Sequence, residues 1–198
     1  MALVAVFLNA CTGLKTKSDE VPNPEAFNER SQRLSALTHW SLSGRVSLDD
    51  GKDGGSGKLQ WAVSPESSIL DFMAAMGRGA WHLEIGDGLV TLRDTEGVHS
   101  APDVQTLLAE RLGWPVPVRA LQYWARGMFA PGAVQNSQID SQGLLEQMQQ
   151  FGWVIDFTRY VAVKGEQLPV RLEASRGQYR IKMAISQWQL EAQPGATR

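Results

Sequence analysis

Trp40-Ser41-Leu42-Ser43-Gly44-Arg45-Val46-Ser47-Leu48 is the stretch that decides the fold. Trp40, Leu42, Gly44, Val46 and Leu48 alternate with polar residues, and a period of two places one face of a strand in a core and the other in water. Asp49 to Gly57, rich in Gly and Asp, reads as a hairpin loop. The period then returns at Leu59, Trp61 and Val63, again from Ser67 to Phe72, and again at Trp81, Leu83 and Ile85. Gly86-Asp87-Gly88 makes a tight turn before Val90 and Leu92. Five short strands separated by turn signals predict an antiparallel meander.

Helical patterns flank and interrupt these strands. Asn23-Pro24-Glu25 reads as a helix start, with Asn as N-cap, Pro at the first helical position and an acid in the first turn. Phe27, Leu34 and Leu37 follow at near-helical spacing. Ser100-Ala101-Pro102-Asp103 matches a capping box, with a stripe of Val104, Leu107, Leu108 and Leu112 closed by Gly113. Trp114-Pro115-Val116-Pro117 forces an extended link, because residues before proline avoid the α region. A further helix spans about Val118 to Arg126, carries Leu121 and Trp124, and stops at Gly127. Strand patterns resume at Ala133–Ile139, Trp153–Val161, Leu168–Ala174 and Gln178–Trp188. Gly143 to Gln150 reads both ways. Propensity favours a helix, but its place before Phe151-Gly152 favours the first arm of a hairpin, and strand is the reading taken. A mostly β, α+β chain of this order must curl or close its long sheet, and the helices can cover the opening.

The N-terminus carries a different signal. Cys11 is the sole cysteine and ends the apolar run Ala2 to Leu8. Leu8-Asn9-Ala10-Cys11 has the form of a bacterial lipobox, apolar at −3 and small at −1. The run is far shorter than the roughly 20 residues of a bilayer span and suits residues 1–10 as a signal peptide. Cys11 is then expected to carry acyl chains. Residues 11–22 form a polar tether of at most about 35 Å, residues 23–190 one domain, and residues 191–198 a tail. Thr12, rather than Asp, after the cysteine permits export to the outer membrane.

Composition excludes several functions. Hydrophobic residues are 43% and charged residues 20%, with a net charge of −2 and no basic run, so no nucleic-acid footprint exists. Gly54-Gly55-Ser56-Gly57-Lys58-Leu59 lacks the Ser or Thr and the glycine spacing of a phosphate loop. His39, His82 and His99 stand apart, without metal-ligand spacing. No enzyme activity, metal or cofactor is expected. Seven tryptophans, mostly in strand patterns, instead suggest an interior lined by large apolar surface.

Four pieces in order resemble the LolB family of outer-membrane lipoprotein receptors: Trp40-Ser41-Leu42-Ser43-Gly44-Arg45; Leu112-Gly113-Trp114-Pro115-Val116-Pro117-Val118 with Leu121 and Trp124 to Gly127; Gly152-Trp153-Val154-Ile155-Asp156-Phe157 with Tyr160 and Leu168-Pro169; and Arg180-Ile181-Lys182-Met183-Ala184-Ile185 ending at Trp188. The resemblance implies a half-open antiparallel β-barrel of eleven strands with helices over a hydrophobic cavity. It implies a monomer on the periplasmic face of the outer membrane, held by its lipid. Such a receptor takes acylated lipoproteins from the carrier LolA and inserts their chains among outer-membrane phospholipids. It also implies that the connection Phe72-Met73-Ala74-Ala75-Met76-Gly77-Arg78-Gly79 is a protruding insertion loop, with Phe72, Met73, Met76 and Arg78 as its working residues and Met76, before Gly77, at the tip. The opposing reading is a Met-filled core corner.

Alternation gives the inward-facing candidates for an acyl-chain cavity: Leu42, Val46, Leu59, Trp61, Ile69, Trp81, Leu83, Ile155, Leu172, Ile181, Met183 and Ile185. A register slip would invert any one strand. A membrane-anchored, lipocalin-like binder of small apolar molecules is the competing reading. A closed calyx would favour it, and an open mouth would favour a protein-borne acyl chain.

Overall fold

The computed structural model describes residues 21–75, 79–113 and 116–191. Cys11, the tether before Val21, Met76, Arg78 and the Trp114-Pro115 link lie outside the described residues. Helix α1 spans Pro24–Ala36, with the Asn23 side chain accepting from the Ala26 N–H at 3.0 Å. Six strands follow: β1 Trp40–Asp49, β2 Gly54–Val63, β3 Ser68–Ala74, β4 Ala80–Ile85, β5 Val90–Asp94 and β6 Gly97–Ala101. Helices α2 (Val104–Leu112) and α3 (Val118–Trp124) come next. The chain closes with β7 Val134–Ile139, β8 Leu145–Gln150, β9 Trp153–Val163, β10 Glu166–Arg176 and β11 Tyr179–Leu190. The ambiguous segment is therefore a strand, β8.

All eleven strands form one antiparallel sheet in the order β6-β5-β4-β3-β2-β1-β11-β10-β9-β8-β7. Two meanders meet at the centre, where β1 pairs with β11 from Trp40↔Leu190 to Asp49↔Arg180. β6 and β7 are the two edges and do not pair with each other, so the sheet is open. The α2–α3 connection has to run from one edge to the other. Its buried apolar stripe then covers the concave face, which removes that face from water.

Three sequence expectations need correction. The first hairpin loop is shorter than Asp49–Gly57, because Gly54 to Gly57 already pair in β2. Asp50 tightens that loop by accepting from the N–H groups of Lys52 and Asp53. Ser100 is not a helix cap. It lies in β6, opposite Thr91, and Asp103 caps α2 by accepting from the Thr106 N–H at 2.8 Å. The connection after β3 is also shorter than its sequence suggests. Phe72 and Met73 are strand residues, paired with Trp81 and Ala80.

Candidate functional site: the concave face and its helical cover

The concave face is mainly apolar, with Ser68 and Gln150 as buried polar residues. Leu42, Val46, Leu59, Trp61, Leu83, Ile155, Leu172, Ile181, Met183 and Ile185 are all buried there. Trp81 is half-buried and stacks on Phe72 with ring centroids 5.1 Å apart. Ile69 does not belong with them. Its neighbours Ser68 and Leu70 point inward, at 7% and 3% exposure, so Ile69 faces outward. Two adjacent apolar residues left the parity of that strand open to a one-residue error, and the structure selects Leu70.

Tryptophans knit this face together. Trp40 lies 5.6 Å from both Trp61 and Trp188, and Trp124 of α3 lies 6.3 Å from Trp153. Each buried indole N–H needs an acceptor. Trp61 donates to Ser68 Oγ at 2.8 Å, Trp188 to the Pro169 carbonyl at 2.9 Å, and Trp124 to Gln150 Oε1 at 2.9 Å. Gln150, fully buried, also accepts from the Ala130 N–H and donates to the Ala130 carbonyl. One amide thus fixes α3 and the segment after it to β8.

Two buried arginines fix α1 in the same way. Arg30 donates to the carbonyls of Gly127, Arg126 and Gln167. Arg126 donates to the Leu34 carbonyl at 2.9 Å and lies over the rings of Trp40 and Tyr123. Burial lowers the pKa of both, Arg126 to about 10, which leaves Arg126 charged at neutral pH. Burial likewise raises the Tyr160 phenol, which donates to the Leu145 carbonyl at 2.8 Å. Each cation is matched by carbonyl dipoles rather than a carboxylate. They hold α1 against the turn after α3.

Sequence reasoning missed Arg30, Arg126 and Gln150. A signal for Arg30 was present: it falls between Phe27 and Leu34 at helical spacing, on the buried stripe of α1. Gln150 gave no such signal.

Helix α2 packs against β5 and β6: Val104, Leu107 and Leu108 are buried, and Arg111 pairs with Glu96 and, at 4.0 Å, with Asp94. The polar fastening of the cover thus differs along its length: buried side-chain hydrogen bonds at α1 and α3, partly exposed ion pairs at α2. The joint between α2 and α3 passes Gly113, whose φ of 72° is a left-handed conformation suited to glycine. Among the described residues there is no cluster of metal-ligating side chains, and no helix is long and apolar enough to cross a membrane.

An open, strongly curled antiparallel sheet with helices closed over its apolar face defines a half-barrel of the LolA–LolB type. The fold matches a LolA superfamily protein from Nitrosomonas europaea with a TM-score of 0.54 over 88% of this chain and 96% of that one, at 10% identity. The pattern of the family described as "Outer membrane lipoprotein LolB" matches residues 38–188, and the chain belongs to that family. It is 38% identical to the outer-membrane lipoprotein LolB of Alkalilimnicola ehrlichii, over 95% of this chain and 94% of that one. It is 31% identical to those of Marinomonas sp. and Pseudomonas syringae pv. syringae, each over 93% or more of this chain.

Proposed function

We propose that this protein is an outer-membrane lipoprotein receptor that accepts acylated lipoproteins from a LolA-type carrier and passes their chains to the membrane. The observation that carries the reading is the apolar concave face under a helical cover. Each methylene kept from water is worth ~0.8 kcal/mol. A multi-chain lipid therefore needs an apolar host at every stage, and transfer can run downhill without nucleotide. Leu42, Trp61, Leu83, Ile155, Ile181 and Met183 are the proposed host surface, reached when α2 swings from β5 and β6. The open sheet edge favours a protein-borne chain over the small ligand of a closed calyx. Cys11 is the proposed lipid attachment point, and residues 11–22 the tether. Met76, in the connection between β3 and β4, is the proposed inserting tip, with Arg78 beside it.

The test is two-stage transfer of a purified lipoprotein, from carrier to this protein and from it to liposomes. Met76→Glu should accept cargo and fail to deliver it, because a carboxylate resists desolvation in the bilayer. Normal delivery by that variant would remove the loop from the mechanism. Failure of wild-type protein to accept cargo would remove the receptor reading itself.

A further inference from the structure

The outer face of the sheet carries an arrangement that acyl-chain binding does not use. Lys58 of β2 pairs across the ladder with Arg45 of β1. Arg45 and Arg171 both pair with Ala184 of β11, from either side, and Arg171 pairs in turn with Arg159 of β9. Lys58, Arg45, Arg171 and Arg159 therefore lie in a single row across five strands. At a strand spacing of ~4.8 Å the row is about 19 Å long. All four are exposed, and among the described residues no carboxylate stands within ion-pair distance of any of them. They border a groove of about 730 Å³ on the outer face, floored in part by Val161 and Val170.

Like charges directly opposite one another on a sheet are destabilising. Within the Lys58–Arg45 and Arg171–Arg159 pairs the strand spacing of ~4.8 Å is also shorter than the Debye length of ~8 Å at physiological salt, so salt screens that repulsion only in part. The other outward cations nearby behave differently: Arg180 and Lys182 both close on Glu173. In a chain of net charge −2, four cations set in a row without a carboxylate partner among the described residues call for an anion from outside. The row runs on through Met73, which pairs with Lys58 and is 59% exposed on the same face. A line of cations ending in an exposed apolar side chain is the chemistry of an anionic lipid surface, where phosphates meet the charges and the apolar end reaches the acyl boundary.

We infer that the Lys58–Arg45–Arg171–Arg159 row is a docking surface for anionic phospholipid headgroups, which lays the outer face of the sheet along the membrane. It stands apart from the acyl-transfer reading, since it requires a membrane nearby but no cargo.

The test uses the full chain with Cys11→Ser, so that no acyl anchor dominates, and co-flotation with vesicles. One set is phosphatidylcholine alone and the other contains phosphatidylglycerol. A cation at an anionic surface is worth a factor of about five. Arg45→Gln/Arg171→Gln should therefore weaken binding to phosphatidylglycerol vesicles by about tenfold or more. Arg180→Gln/Lys182→Gln, with the same change in net charge, should weaken it by less than about threefold. If the first pair does not fold, Lys58→Gln/Arg159→Gln makes the same measurement. Equal loss in both pairs, or equal binding of the unmutated row to neutral vesicles, overturns the inference. So does a row variant that keeps its vesicle binding but loses binding to an acidic carrier protein, which would assign the row to that partner.

Discussion

Gly44 meets a demand that no side chain can satisfy. A Cβ there would stand 2.3 Å from the Ala184 carbonyl oxygen, beside the irregularity where β1 slips against β11. The close approach lets the two central strands curl together. Gly44→Ala should cost about 1–3 kcal/mol by overpacking, read as a lower urea midpoint at unchanged m-value. Gln150→Leu should cost about 3 kcal/mol or more. It strands the Trp124 N–H and both backbone groups of Ala130 without partners, and each such buried group costs ~1–3 kcal/mol. At this scale the concave face was legible wherever apolar and polar residues alternate, as in Trp40 to Leu48. Ile69-Leu70 was not, because two adjacent apolar residues suit either parity. The polar fasteners were not either, because Gln150 makes its bonds to a turn twenty residues away and no local pattern records that.

Among the elements, β6 is the one the sequence concealed. Gly97 to Ala101 contains one large aliphatic residue, Val98, and that residue faces solvent, so the alternation used elsewhere had nothing to register. The apparent cap at Ser100 followed from missing that strand. Asp103, the actual cap, makes a pH-dependent contribution. Its hydrogen bonds to the Thr106 N–H and hydroxyl hold its pKa below the ordinary 3.8. A depressed carboxyl stabilises the fold above the unfolded value, and the effect is lost as pH falls through the folded one. Asp103→Ala should therefore cost about 1 kcal/mol at neutral pH. The difference from the unmutated protein should shrink below pH 3.8 and vanish in stronger acid. Urea titrations at several pH values measure it.

The whole molecule fastens its cover by buried hydrogen bonds at α1 and α3 and by partly exposed ion pairs at α2, and that difference sets its expected behaviour. Arg111→Ala/Glu96→Ala removes the ion pairs of α2 with Glu96 and Asp94, partly exposed contacts whose loss should cost within about 1 kcal/mol. The same change should speed uptake of a fluorescent fatty-acid analogue, measured by stopped flow, because opening precedes entry. Arg126→Met should instead lower stability substantially, since the Leu34 carbonyl keeps only the Leu37 N–H and the cation's contacts with the Trp40 and Tyr123 rings are lost. Uptake unaffected by the α2 change would place the entrance elsewhere. The two meanders were readable from sequence as runs of hairpins. Their union through β1 and β11 was not, because antiparallel neighbours joined by a tight turn announce themselves locally and these two have no turn between them.

That central seam also dictates when the molecule can come into being. Trp40 and Leu190 are neighbours in space and nearly the whole domain apart in the chain. The last described strand in chain order, β11, is the keystone between two half-sheets, each able to form from nearest-neighbour hairpins. Non-local pairing of this kind is slow, because the entropy of closing a long loop must be lost before the contacts that offset it exist. Until residues 179–190 arrive, β1 and β10 present raw edges, each a template for another chain. The protein is thus most vulnerable to aggregation in the interval before β11 docks, and a chain cut short of β11 should accumulate as associated half-sheets rather than as a smaller soluble domain.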